Sequence, residues 1–337
     1  MLAIDTEFQR EKTFFPILAL IQISDGSQCF IYDPLHLDLK PLYDFLLASQ
    51  QIKLFHSASQ DLEIFHDLLP QPMPKVFDTQ VAAQLLGYPT QISLKNLVAD
   101  ILGKNLLKEE TVSDWTRRPL SESQLTYAFE DVIHLPDLFL HLSTLLQRQD
   151  KFPWYEEECF EQNTLKDPVE KLVEKCTTPL DSPFYKAVMR SLLEWREKLA
   201  RKKNLPRNWI IKDDQLKKII AHPHVEDFLR LEILTERQFQ YYKTDLSRIL
   251  TEHQSLSTRK THPSQRQKDD IDSVGNKLKN FIQDIAGKRN IPAEFICNQR
   301  RLKNLASQIV LFNKAAEFHG WRGQLLNDKC RRLCQAP

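Results

Sequence analysis

The sequence predicts an α/β domain built on a mixed sheet, followed by an all-α half. Two observations carry this. Over residues 1–150, three consecutive strand-like segments precede alternating helix and strand patterns. Beyond residue 182 the chain is strongly helical, and a helix–turn–helix segment recurs at an offset of 86 residues.

The elements follow in order. MLAIDTEF, ILALIQISD and QCFIYDPL read as strands, with SDGSQ as the turn between the second and third. LKPLYDFLLAS reads as a helix and IKLFHS as a strand, and the apolar spacing from Leu62 onward is helical again. KVFDTQVAAQLLG starts extended and becomes helical, with Asp78 and Thr79 at the junction. Residues 151–182 read as a connecting segment. Residues 183–260 and 272–337 hold the two copies of the repeat, with a polar linker at 261–271. LLEWREKLARKKNLPRNWIIKDDQLKKI aligns with KLKNFIQDIAGKRNIPAEFICNQRRLKNL, which pairs Asn204 with Asn290, Pro206 with Pro292 and Ile210 with Ile296. The residue before a proline is driven out of the helical region, so each copy breaks at Asn-x-Pro.

Composition excludes several classes. With 42% hydrophobic and 27% charged residues in 337, the chain reads as an ordinary globular protein of two or three domains. FFPILALIQI is too short, and too interrupted by Pro16 and Gln22, to span a membrane. None of the seven glycines forms G-x-G or precedes Lys-Ser/Thr, so a nucleotide cofactor on a Rossmann turn or P-loop is excluded. Six cysteines without a CxxC pair read as reduced thiols, and no signal segment opens the chain; a cytoplasmic protein is expected. Residues 1–150 hold 11 Lys/Arg against 20 Asp/Glu, and the remainder 35 against 25. An acidic first half suits a metal–carboxylate centre, and a basic second half suits a polyanion.

Five side chains gather the chemistry. Asp5 and Glu7 are two apart on a strand and share a face. Asp61 lies on a helix, and Tyr127 and Asp131 are one helical turn apart. Converging carboxylates resist ionising together, and hard divalent cations reverse that penalty.

Asp5-Thr6-Glu7, Asp61 and Tyr127-x-x-x-Asp131 stand in the order of the three motifs of the DEDD 3′→5′ exonucleases, tyrosine subtype. SDWTRRPLSESQLTYAFEDVIHL, from Ser113 to Leu135, resembles the ribonuclease D family in particular. The resemblance covers nearly the whole chain. It implies a ribonuclease H-like exonuclease domain followed by two helical modules that resemble HRDC domains. It also implies two divalent ions, Mg²⁺ or Mn²⁺, on Asp5, Glu7, Asp61 and Asp131, with Asp5 bridging both. Two ions about 3.5–4 Å apart activate a water and stabilise a leaving oxyanion. Tyr127, with an ordinary pKa near ~10, suits orientation of that water better than proton abstraction.

The implied substrate is RNA with a free 3′ end, tRNA precursors above all, trimmed to release nucleoside 5′-monophosphates. A DNA exonuclease of the same fold and a non-catalytic RNA-binding protein are the alternatives. Thr6, Phe8, Trp115 and Arg118 are candidate substrate contacts, with core packing the competing reading for Phe8 and Trp115. His56 reads as supporting or structural. Arg201-Lys202-Lys203 and Lys217-Lys218 are expected to meet the RNA backbone. The acidic half is expected to keep its cleavage step without residues 183–337. In the resembled family about twenty residues usually precede the first aspartate and supply a helix, so the outer end of the first strand is expected to fray here.

Overall fold

The computed structural model describes residues 1–106, 113–164, 168–314 and 317–335. Its first half is a five-stranded mixed sheet, in the order β3-β2-β1-β4-β5. β1 (Leu2–Gln9), β2 (Ile17–Ser24) and β3 (Cys29–Tyr32) form an antiparallel meander. β4 (Lys53–Phe55) runs parallel to β1, and β5 (Val76–Asp78) parallel to β4. α1 (Lys40–Ala48), α2 (Ser59–Leu68) and α3 (Thr79–Leu85) alternate with these strands as the patterns predict.

β1 is the central strand. Leu2 is buried, its N–H donates to the Ile52 carbonyl at 2.8 Å, and Ala3 pairs with both Ser24 and Leu54. The expected fraying is therefore absent, because pairing on both sides holds the strand from its first residues. One face of the sheet carries Leu2, Ile4, Ile21 and Phe55 against Leu46 of α1 and Leu62 and Phe65 of α2. On the other face, Ala3, Leu54 and Phe77 meet α3, α4 (Leu94–Leu102) and α6 (Leu135–Arg148). α5 (Glu122–Ile133), opened by a Ser121–Gln124 capping box, packs across β1, β2 and β3.

Two expected connections are corrected. Within 151–182, α7 (Phe152–Asn163) belongs to the sheet domain. Its Tyr155 is buried against Phe77, with ring centroids 4.5 Å apart, and its hydroxyl accepts the Asp78 N–H at 2.8 Å. α8 (Pro168–Cys176) instead packs Val169 and Val173 into the core of the first helical module. The linker at 261–271 is also mostly helix: Ser264 caps α14 (Gln265–Arg289) through a capping box with Gln267, and Ile271 is buried. A polar sequence hid a helix whose apolar stripe is sparse.

The repeat is real in three dimensions. α9 (Pro183–Lys203), α10 (Arg207–Ile210) and α11 (Asp213–Ala221) match α14, α15 (Ala293–Ile296) and α16 (Gln299–Phe312). The first module is completed by α12 (Asp227–Arg230) and α13 (Glu236–Glu252), and the second by α17 (Gly320–Gln335). The long helices end one residue before the position that proline restricts, at Asn204 (φ 49) and Asn290 (φ 48), both left-handed. Asparagine tolerates that conformation, and the following N–H of Leu205 or Ile291 caps the helix by bonding back to Ala200 or Ala286, each at 3.0 Å.

The same two asparagines dock the modules on the sheet domain. Asn204 Oδ1 accepts the N–H groups of Phe14 and Phe15, both at 3.1 Å, and Phe14 is buried in the first module's core. Asn290 donates to the Leu86 carbonyl at 3.0 Å. That approach needs a glycine at position 87, where φ is +99 and a Cβ would lie 2.6 Å from the Asn290 amide. Trp321, fully buried, stacks on Trp154 at 5.2 Å and donates its indole N–H to Glu158 at 2.7 Å.

Candidate active site

The site forms where β1 passes under α5. Period-two alternation places Asp5 and Glu7 on one face, and α5 brings Asp131 over them. Carboxylate oxygens of all three lie within 4.8 Å of one another. A bulge in the β1–β2 ladder falls between Glu7 and Phe8. The extra residue, Ala19, is on β2, so β1 keeps its alternation and Phe8 falls on the Leu2–Ile4 face, where the ring packs half-buried on the apolar cluster. Phe8 therefore packs on the core with part of its ring exposed.

The electrostatics are those of an uncompensated acidic cluster. Burial, then the charges of Asp131, Asp61 and Glu7, push the Asp5 carboxyl far up. Burial, Asp131 and Asp61 raise Glu7 to about 8. Such a set holds protons at neutral pH unless a cation displaces them. The three-carboxylate, all-oxygen donor set fits a hard divalent ion.

Asp61 stands apart from that trio. It is buried on the first turn of α2, and Thr6 Oγ1 donates to its Oδ1 at 2.5 Å. Burial raises it to about 7, and its charge reaches Asp5 and Glu7. Thr6 thus points at Asp61. What fixes α2 is Asp78, noted in the sequence only as lying at a junction. Fully buried, it accepts the N–H groups of Ser57 (3.0 Å) and Ala58 (2.9 Å) at the start of α2. It also accepts the Gln80 N–H at 2.8 Å as the cap of α3, and the Gln162 amide at 2.9 Å. One carboxylate therefore sets two helix starts. The nearby His56 is structural, its ring nitrogens 2.9 Å from Thr79 Oγ1 and 2.9 Å from the Ile92 carbonyl oxygen.

Tyr127 shares a face with Asp131 and hydrogen-bonds to its side chain. Burial, then the charges of Asp131, Glu7 and Asp5, push its hydroxyl well above the usual tyrosine range, so it stays a neutral donor. Its ring leans on Trp115, with centroids 5.9 Å apart.

Two expected substrate contacts are corrected. Trp115 is buried with Ala19, Leu20 and Ala128, so it backs Tyr127 and offers no face to a base. Arg118 has no donor to spare. Its Nε and one Nη2–H go to Asp33 at 2.7 and 2.8 Å, and the other Nη2–H goes to the Ala19 carbonyl at 2.7 Å. Its two Nη1–H groups go to the carbonyls of Trp115 and Arg117 at 2.8 and 2.9 Å. A guanidinium has five donors, and all five are used. Arg118 pins the segment before α5 to the sheet. The basic run at 201–203 is likewise partly committed: Arg201 pairs with Asp67 and Glu197 and lies over the Phe14 ring at 4.9 Å.

Comparison with known proteins agrees with this architecture. A family model described as 3′-5′ exonuclease matches residues 1–147, and the HRDC domain model matches residues 186–250. A ribonuclease D of Bartonella henselae is 32% identical over 345 residues, covering 98% of this chain and 84% of the relative. A ribonuclease D of Jannaschia sp. is 39% identical over 226 residues, which span 63% of this chain and 58% of that protein. Among solved structures, Escherichia coli RNase D, described as an exoribonuclease involved in structured RNA processing, superposes with a TM-score of 0.77. It is 25% identical and covers 99% of this chain and 92% of its own. The chain belongs to the ribonuclease D family: it is a 3′→5′ exoribonuclease with a mixed-sheet exonuclease domain and a helical HRDC domain.

Proposed function

We propose that the chain trims the 3′ ends of small structured RNAs, tRNA precursors among them, by two-metal hydrolysis in the cytoplasm, releasing nucleoside 5′-monophosphates. The observation that carries the reading is the Asp5–Glu7–Asp131 cluster, with Tyr127 on its rim and Asp61 beside it. Mg²⁺ or Mn²⁺ ions held by Asp5, Glu7 and Asp131, with Asp61 completing the set, supply activation of a water and stabilisation of the leaving oxygen. The raised carboxyl groups make the site a cation trap, since an ion displaces protons instead of competing with fixed salt bridges. Tyr127 keeps its proton and orients the attacking water through its hydroxyl; Trp115 and Asp131 hold it in place.

The second helical module is read as a diverged HRDC-like domain, from the matched Asn204/Asn290 turns and short helices. A cavity of about 870 Å³ between α8, α16 and the start of α17 takes a short stretch of the RNA backbone. Lys171, Lys175, Arg300 and Arg301 line it against Glu161 and Glu174, a balance that favours phosphate. No described helix is long and apolar enough to cross a membrane.

The reading is tested with 5′-labelled RNA and DNA of one sequence, with Mg²⁺, with Mn²⁺ and with chelator. Stepwise shortening of RNA from its 3′ end is expected, dependent on divalent metal, with DNA degraded more slowly. Internal cuts, or DNA cleaved as fast as RNA, would contradict it. Tyr127→Phe is expected to lower turnover by up to about 10²-fold, the scale of misplacing a reacting group. Metal affinity should hold; a weakened metal titration with an unchanged rate at saturating metal would refute the water-orienting role.

A further inference from the structure

Gln22 sits in the middle of β2, directly across the ladder from Asp5. Opposed residues of an antiparallel pair carry their side chains on one face, with Cβ atoms about 4.5–5.5 Å apart. On its other side Gln22 pairs with Ile31 of β3, and α5 packs over both strands. Gln22 is completely buried, and neither its amide nitrogen nor its amide oxygen has a hydrogen-bond partner among the described residues.

The other fully buried polar side chains of this sheet are bonded. Lys53 donates to the Ser49 carbonyl at 2.6 Å, Thr79 to the Phe55 carbonyl at 3.0 Å, and Asp78 accepts from two helix starts. Leaving a buried amide unpaired forfeits the hydrogen bonds that it makes with water in the unfolded chain. Leu20 and Ile31 flank it on the same face of the sheet, so a methionine would fill similar volume there without that cost. A local rule broken beside a reactive carboxylate marks a group whose partner belongs to the working state of the site.

We propose that Gln22 is a positioning residue for Asp5: its amide N–H donates to the Asp5 carboxylate and fixes the rotamer in which Asp5 would hold a metal. Ligating carboxylates are themselves held by outer hydrogen bonds, and losing such a bond typically lowers metal affinity about 10–100-fold. The inference rests on the reading of Asp5 as a metal ligand.

The test compares the full chain with Gln22→Met, Gln22→Asn and Asp5→Asn, using metal-free melting and Mn²⁺ calorimetry without RNA. Gln22→Met is expected to melt no lower than the wild type without metal, yet to bind Mn²⁺ about 10–100-fold more weakly. Gln22→Asn keeps the amide but loses reach, and is expected to weaken Mn²⁺ as well. Unchanged Mn²⁺ affinity in Gln22→Asn, or in a folded Gln22→Met, overturns the proposal. So does a lower metal-free melting temperature of Gln22→Met with Mn²⁺ affinity intact, which marks a structural amide. Asp5→Asn separates the two readings. If it leaves Mn²⁺ binding intact, the ligand assignment itself fails; if it weakens binding while the Gln22 variants do not, only the positioning role falls.

Discussion

Asp131→Ala is expected to eliminate RNA cleavage and, without metal, to make the protein more stable at alkaline pH. Asp131 is the α5 member of the carboxylate trio. Removing one ligand should cost more than the roughly 10²–10³-fold lost with a single transition-state hydrogen-bond donor. The stability effect follows from repulsion. Glu7 is raised from 4.5 to about 8 and Asp61 from 3.8 to about 7. A carboxyl whose folded pKa is raised stabilises the fold below its unfolded value, and that contribution is lost as pH climbs through the folded one. The metal-free protein is therefore expected to melt progressively lower between about pH 5 and about pH 8, and Mn²⁺ should reverse the loss. Asp131→Ala removes a charge that raises both Asp5 and Glu7, so its melting temperature should fall less across the same window. Cleavage by the wild type should rise with pH over that range, because protons compete with metal for these oxygens. A metal-free melting profile that is flat, or that climbs toward alkaline pH, would refute the uncompensated cluster.

The parts of the site legible in the sequence are those set by local periodicity. Asp5 and Glu7 share a face because strands alternate, and Tyr127 and Asp131 share one because helices repeat near four. The three-strand meander and the repeat were legible for the same reason: each rests on patterns within a few tens of residues. The misreadings concern side chains whose partners are remote. Arg118 looked like a substrate contact, but its partners Asp33 and Ala19 lie 85 and 99 residues away, and no window contains them. Trp115 is buried by β2 residues, and α7 joins the sheet domain through Phe77 and Asp78. Asp78 had a readable signal, a cap before a helix, but its grip on the start of α2 arises only in the fold. The start of α14 is different: Ser264 and Gln267 spell a capping box, a local signal that marks the helix despite its sparse apolar stripe.

Deleting residues 183–337 is expected to unfold the exonuclease domain, against the sequence-based expectation that cleavage survives in it. The charge split favoured a separable basic half, but the packing does not separate there. Leu278, Ile282, Ile285, Trp321 and Leu326 belong to one continuous core with Leu85, Leu86, Leu138, Leu142 and Tyr155 of the sheet domain. On the first module's side, Phe14 from the β1–β2 loop is buried among Phe184, Val188 and Ile211. Each fully buried aliphatic or phenyl side chain is worth about 1.5–3 kcal/mol. A whole domain is stable by only about 5–15 kcal/mol, so losing a few such contacts suffices. Trp154 would also lose its stacked partner Trp321, and Asp67 its pairing with Arg201. The truncated chain is expected to aggregate or to lack a cooperative melt, with single-turnover RNA cleavage lost along with the fold. Trp321→Ala in the full chain probes the same contact more gently. Removing a fully buried tryptophan costs about 3–5 kcal/mol, visible as a large drop in melting temperature, while the carboxylate cluster stays untouched. A soluble 1–182 fragment that melts cooperatively near the full-length temperature and cleaves RNA at the full-length single-turnover rate would show that the helical half is a detachable RNA-binding appendage after all.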